Sequence, residues 1–263
     1  MCGIFGFSLK KPVALTKVFE ALRRLEVHQY PDELKPVGGF GAGVAFLGDN
    51  GEVIWEKVGS TERGSPAEKL ARRVKQKETR VLVAHVRMPS PEFMTSASFK
   101  ETAQPYVVSQ GETAVVSVHN GKIENYKELR AKLGVNHVFE SERKVELIDS
   151  EVIPHVFAEL LQAKHTDKTI LENFLHTIEG SNTIAILHIN KKKEAFLYFV
   201  HKGKTRGLHV WSNDLGEVIF CSREEPLRPA ISEVIKSGKF TKKASIEWRE
   251  EACLKLAFPI VYL

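Results

Sequence analysis

Hydrophobic and polar positions along this chain change period several times, and each change marks an element. Residues 2–9 are mostly apolar, with glycine at positions 3 and 6, and read as a strand. Leu15, Val18, Phe19, Leu22 and Leu25 then recur at helical spacing and predict a helix over 15–28. A polar loop with Pro31, Pro36, Gly38 and Gly39 follows. Strands over 40–47 and 52–57 flank the turn signal Asp49-Asn50-Gly51. Ser65, Pro66 and Glu68 stand in the order of a capping box with proline in the first helical position. A second helix therefore starts there and runs to about Lys77.

Residues 80–86 form a short apolar strand, broken by Pro89 and Pro91. Residues 91–112 are loop-rich. The strand 113–118 runs straight into His119-Asn120-Gly121, and helices follow over 124–133, from Asp149-Ser150 to about Ala163, and over 169–178. Four short β-branched or aromatic strands come next, at 183–189, 195–201, 208–212 and 218–222. The tail, 229–263, holds one element readable as helix or strand and then two strands; its apolar run 256–263 suits a buried final strand. Strands and helices come in blocks rather than in βαβ alternation. That order predicts an α+β fold, antiparallel sheets covered by helices.

Composition narrows the class. With 263 residues the chain can bury a full core, and 43% apolar with 27% charged residues is ordinary for a globular protein. No apolar run approaches the roughly 18–20 residues of a membrane helix, and no basic segment precedes an apolar one as in a signal peptide. Cys2, Cys221 and Cys253 are an odd count without metal-ligand spacing. They point to a reducing, cytoplasmic setting, with no disulfide framework and no metal site. The net charge of +5 is mild. Lys191-Lys192-Lys193 reads as a hairpin turn, and Lys236, Lys239, Lys242 and Lys243 as a solvated face rather than a nucleic-acid site.

Four places carry candidate chemistry. Cys2 is one: removal of Met1 would leave a thiol and a free α-amine on one residue. That amine has a pKa of about 7.7–8.0, so it can serve as the base for its own nucleophile. A buried structural cysteine is the alternative. Arg87, at a strand end, is either a solvated arginine or a planar fork for a carboxylate. Asn120-Gly121 is either a hairpin turn or an oxyanion hole made of a side-chain amide and a backbone N–H. Asp149 is either a helix cap or the partner of a ligand ammonium.

Taken together, these segments resemble the class II glutamine amidotransferase domain, an N-terminal-nucleophile hydrolase. The matches run in family order: Met1-Cys2-Gly3-Ile4-Phe5-Gly6, His85-Val86-Arg87, His119-Asn120-Gly121-Lys122-Ile123-Glu124-Asn125-Tyr126, and Asp149-Ser150-Glu151-Val152-Ile153. Ala103-Gln104-Pro105-Tyr106 and Phe220-Cys221-Ser222-Arg223-Glu224 match more weakly. The resemblance implies a four-layer αββα sandwich of two antiparallel sheets flanked by helices. It spans residues 2–228, with 229–263 an extension packed on the same domain. It implies Cys2 as nucleophile, Asn120 and Gly121 as oxyanion hole, Arg87 with Ser90 on the α-carboxylate of L-glutamine, and Asp149 on its α-amine. It implies no cofactor, no nucleic acid and no membrane. An ammonia-accepting synthase would be the partner, and a homo-oligomer is compatible with everything in the sequence. No Gly-rich phosphate loop follows residue 228, so the domain reads as a stand-alone form. A second amidase, acting on other γ-glutamyl amides, is the runner-up. Two departures stand out: His28-Gln29-Tyr30-Pro31-Asp32 lies where many members carry an Arg-Gly pair, and Met88-Pro89 where many carry an aromatic residue.

Overall fold

A computed structural model describes residues 2–61, 63–163 and 166–260. Met1, whose removal the chemistry of Cys2 calls for, and the last three residues of the late apolar run lie outside the described residues. The first half of the chain runs β1 (Gly3–Ala14), α1 (Leu15–Val27), β2 (Gly41–Leu47), β3 (Val53–Gly59), α2 (Pro66–Arg73), β4 (Glu78–Val86), β5 (Tyr106–Gln110), β6 (Thr113–Gly121) and α3 (Tyr126–Lys132). It continues through α4 (Val152–Gln162), α5 (Asp167–Thr177), β7 (Asn182–Ile189), β8 (Ala195–Lys204), β9 (Leu208–Ser212) and β10 (Val218–Cys221). It closes with α6 (Arg228–Ser237), β11 (Thr241–Ile246) and β12 (Glu251–Ile260).

The strands form two sheets, a seven-stranded one ordered β11-β9-β10-β1-β4-β2-β3 and a five-stranded one ordered β12-β8-β7-β6-β5. Every pairing is antiparallel. Side-chain alternation sorts the core into three apolar layers. Phe5, Phe7 and Leu9 of β1 pack under Leu22 and Leu25 of α1, whereas Ile4 points the other way, into the layer between the sheets with Val118, Phe199 and Phe220. Phe157, Phe174 and Ile184 fill the third layer, beneath α4 and α5. The result is the expected four-layer αββα sandwich. Each fully buried side chain of this size contributes about 1.5–3 kcal/mol from leaving water. None of the helices among the described residues is long and apolar enough to cross a membrane.

Two features of this frame organise one end of the sheets. β1 is an interior strand, paired to β4 on one side and β10 on the other, so Cys2 stands one residue before a doubly anchored strand. The second feature is Gly43. A Cβ there would stand 2.1 Å from the Gln104 carbonyl oxygen, so only glycine lets the chain at 104 lie against β2.

Several elements differ from the sequence reading. Residues 106–110, read as loop, form β5, which returns to β6 through Gly111 at φ 62°. β1 extends past residue 9 because Val13 and Ala14 pair with Thr79 and Glu78 across a bulge. The helix placed from Asp149 begins at Val152; Asp149–Glu151 is a 3-10 turn without a side-chain cap. The undecided tail element is helix α6. The final strand is a partly buried sheet edge rather than a core strand, because β8 is its one partner among the described residues.

Candidate active site

Cys2, Arg87, Ser90, Gly121 and Asp149 line a single cavity of about 480 Å³ at one end of the two sheets. Chain geometry explains the convergence. Gly3 pairs with Val86, so Cys2 and Arg87 leave neighbouring strands of one sheet side by side. Gly121 closes β6 in the other sheet, and Asp149 follows from the turn before α4. Arg87 is drawn into the same end by its backbone, which donates to the Gly41 carbonyl at 2.8 Å.

The thiol of Cys2 is half-buried. It donates to the Met88 carbonyl at 3.3 Å and accepts from the Met88 N–H at 3.2 Å. Arg87 is buried, and its guanidinium donates to the Thr102 hydroxyl. Burial pulls its pKa below the usual arginine value, against the opposing pull of Tyr106, Cys2 and Asp149. Ser90 is exposed at the mouth. Asp149 is buried and, instead of capping α4, accepts the Ile123 N–H at 2.9 Å.

Asn120 stands apart from the cavity lining. It is fully buried, and neither atom of its side-chain amide has a hydrogen-bond partner. A buried amide without a partner is unfavourable by about 1–3 kcal/mol, so an acceptor arriving here would satisfy its N–H donors. Gly121 has φ 131°, and a Cβ on it would stand 2.1 Å from the Ser181 carbonyl oxygen. No other residue fits at that strand end.

Behind these groups lies a polar frame that motif reading passes over. The Gln104 side chain accepts the His119 N–H at 2.6 Å and donates to the His119 carbonyl at 3.2 Å and to the Ser150 hydroxyl at 3.2 Å. His119 Nε2 lies 2.8 Å from Asn182 Oδ1, and the Asn182 amide nitrogen donates to the Glu179 carbonyl. Asn182 Oδ1 is therefore an acceptor and His119 carries its proton on Nε2. Its Nδ1 then accepts from the Ser150 hydroxyl at 2.8 Å. Burial lowers the His119 pKa and, with the charge of Arg87 and then His119, holds His85 at about 3. Both imidazoles are neutral at pH 7. His119 and Ser150 stand in the motifs at 119–126 and 149–153, and the weak match at Ala103-Gln104-Pro105 is the sequence signal for Gln104.

The outer rim has a different character. Glu33, from the loop after α1, accepts from the Arg206 guanidinium at 3.2 Å and also from that of Arg223. Arg223 donates to His28 Nδ1 at 2.7 Å and covers the Tyr30 ring at 3.9 Å. Trp248 and Arg249, from the turn between β11 and β12, line the cavity with Arg206, and Arg249 lies 4.4 Å over the indole. Burial alone would raise the Glu33 pKa. The Arg223 hydrogen bond, the Tyr30 N–H and the two guanidinium charges together lower it. Burial and then Arg223 bring Arg206 down to about 10. Thus the loop that lacks the Arg-Gly pair is held by two arginines from distant strand ends. No group of three or more His, Cys, Asp or Glu among the described residues is placed to hold a metal ion.

The family model of the glutamine amidotransferase domain matches residues 94–229, from the loop before β5 to the start of α6. This chain belongs to that family. Its curated relatives place the domain in class II. It is 31% identical over 196 residues to the glutamine–fructose-6-phosphate aminotransferase (isomerizing) of Sulfolobus acidocaldarius, covering 73% of this chain and 29% of that protein. It is 34% identical over 192 residues to the enzyme of the same name from Thermosynechococcus vestitus, covering 71% of this chain and 26% of that one. The amidotransferase domain thus spans under a third of the length of these relatives. A solved structure of glutamine phosphoribosylpyrophosphate amidotransferase from B. subtilis, complexed with ADP and GMP, aligns at TM-score 0.62 and 18% identity, covering 97% of this chain and 49% of that one. The allosteric regulatory enzyme of purine biosynthesis aligns at TM-score 0.64 and 17% identity, covering 97% of this chain and 48% of that one. Both share the two-sheet fold of the amidotransferase domain.

Proposed function

We propose that this domain hydrolyses the side-chain amide of L-glutamine to glutamate and ammonia, with Cys2 as nucleophile once Met1 is removed. The observation that carries the reading is the convergence of Cys2, Arg87, Ser90, Gly121 and Asp149 on one cavity, with the unpartnered Asn120 amide one residue before Gly121. The amino-acid head of glutamine is a zwitterion. Arg87 and Ser90 hold its carboxylate, and Asp149 its ammonium. The Cys2 sulfur attacks the amide carbon, and the thiol proton passes to the α-amine. The carbonyl oxygen becomes an oxyanion held by the Asn120 amide and the Gly121 N–H. The α-amine then gives the proton to the leaving nitrogen, and ammonia departs from a γ-glutamyl thioester. Water adds to the thioester, and glutamate and the thiol are restored. A synthase consumes the ammonia, whether it is separate or joined to this domain.

The test is labelling of Met1-processed protein with 6-diazo-5-oxo-L-norleucine, read by intact mass and peptide mapping. A single adduct on Cys2, blocked by excess L-glutamine, is expected. Processed protein that takes no label, with or without a synthase, would sink the reading.

One observation favours a second substrate class at this site. The cavity volume falls among pockets that hold drug-sized ligands, about 300–1,000 Å³, and Arg206, Trp248 and Arg249 line the side beyond the groups glutamine needs. Turnover of γ-glutamyl amides above that of glutamine would favour this reading.

A further inference from the structure

Gln104 occupies a peculiar place in the second sheet. β5 and β6 pair with Tyr106 opposite Ser117, so the same register carried two residues further would put residue 104 opposite His119. The backbone is not available for that pairing, because it has crossed to lie against Gly43 of the other sheet. The side chain makes the pairing instead. Its amide is chemically a peptide group, one acceptor and one donor in a plane, and it meets the His119 N–H at 2.6 Å and the His119 carbonyl at 3.2 Å. The next two residues of β6 are Asn120 and Gly121. On the opposite edge β7 pairs with them at Thr183 and Asn182. Gln104 is therefore the clamp on one side of the proposed oxyanion hole.

The same amide nitrogen also donates to the Ser150 hydroxyl, next in sequence to Asp149. Ser150 in turn donates to His119 Nδ1. Asp149 is tied back to the strand exit through the Ile123 N–H. These bonds close a buried circuit from 104 through 119, 123, 149 and 150.

The geometry points to Gln104 as a positioning residue that sets the oxyanion donors and, through Ser150, the ammonium-binding carboxylate together. This rests on the glutaminase reading of the site. Its consequence is that stabilisation of the oxyanion and the grip on the amino-acid head are coupled through one amide. A misplacement of about 1 Å in such a site lowers turnover by up to about a hundredfold.

The experiment uses the full chain without Met1. Active sites are titrated with 6-diazo-5-oxo-L-norleucine, so that rates are expressed per reactive Cys2 and unfolded molecules drop out. Gln104→Leu removes all three bonds, and a fall in kcat per titrated site of about tenfold to a hundredfold with a raised KM is expected. Ser150→Ala keeps the clamp on His119 and is expected to raise KM with a smaller change in kcat. In the double variant the KM effects should fall short of additive, because Gln104 reaches Asp149 through Ser150. Gln104→Glu supplies a readout that a merely structural role would not move. Its neutral carboxyl can donate and accept like the amide, whereas its carboxylate can only accept. Its kcat relative to wild type should therefore decline as pH rises, a trend absent from Gln104→Leu. Unchanged kcat per titrated site in Gln104→Leu, or a pH-independent Gln104→Glu ratio, overturns the inference while glutaminase activity stands. Wild-type protein with no titratable Cys2 overturns the glutaminase reading and this inference with it.

Discussion

The inner wall of the cavity and its outer rim are built by opposite means. Inside, Arg87, Gln104, His119, Asp149 and Ser150 are buried and come from strand ends, the segment before β5 and the turn before α4, with Asn120 buried behind the lining. Their order comes from sheet pairing and from a buried hydrogen-bond circuit through Gln104, His119 and Ser150, with Asp149 tied to the Ile123 N–H. Outside, Glu33, Arg206, Arg223, Trp248 and Arg249 come from loops and turns, and charge holds them in place. The inner wall is positioned by the fold itself, which is what transition-state stabilisation requires. The rim is held by ion pairs that are themselves buried, so salt screens them little, whereas acid can loosen them by protonating Glu33. Chemistry and access are thus assigned to different kinds of bond.

Substitutions can break or sharpen that division. Cys2→Ala should reduce glutamine turnover to background while changing stability by about 1 kcal/mol or less, measured by denaturant titration beside an ammonia assay. A large loss of stability would make Cys2 a structural residue. Asn120→Ala should lower kcat by about a hundredfold to a thousandfold with little change in KM, since it removes a proposed oxyanion donor. Asp149→Asn should act chiefly on KM, because the ammonium partner is needed in ground and transition state alike. On the rim, Glu33→Gln should leave kcat within about threefold and raise KM, since it leaves the buried Arg206 and Arg223 without their carboxylate. A kcat loss matching that of Asn120→Ala would erase the distinction between wall and rim.

Acid should separate them as well. His85 and His119 have folded-state pKa values below that of a free imidazole, so each contributes stability that is complete above about pH 6.5 and is lost as pH falls toward the folded value. Each such group should add about 1.4 kcal/mol per pH unit to the slope in that window. Glu33 is a depressed carboxylate, so its share is complete above about pH 4.3 and lost below. Unfolding free energy measured from pH 7 to 3 should therefore fall in two stages. Glu33→Gln should lessen the slope below about pH 4.3 and leave it unchanged above.

The sequence is legible where the residues that meet at the cavity come from contiguous segments. Cys2, Arg87, Asn120-Gly121 and Asp149 each sit in a short motif, and the turns at 49–51 and 191–193 announce themselves by composition. β5 escapes such a reading because its identity lies in its partner. Residues 106–110 gain strand structure by pairing with β6, and Pro105 and Gly111 on either side look like loop. Asp149 shows the reverse error. Its position before a helix suggests a cap, yet its carboxylate serves the Ile123 N–H instead. The rim is invisible for a plainer reason: Glu33 and Arg206 are 173 positions apart, and nothing local in either marks the other.

The placement of β1 has a consequence in time. Its two neighbours are β4, finished at residue 86, and β10, finished at residue 221. At about 5–20 residues per second, a ribosome needs roughly ten to forty seconds to reach the second of them. Strand β1 can therefore pair on its β4 side once residue 86 is made, but its β10 side stays open until residue 221 follows. A peptidase that trims an extended terminus has its opening then, before the sheet closes around β1. On the proposed glutaminase reading, the step that frees the Cys2 amine falls before the strand order of the sheet closes the second side of β1.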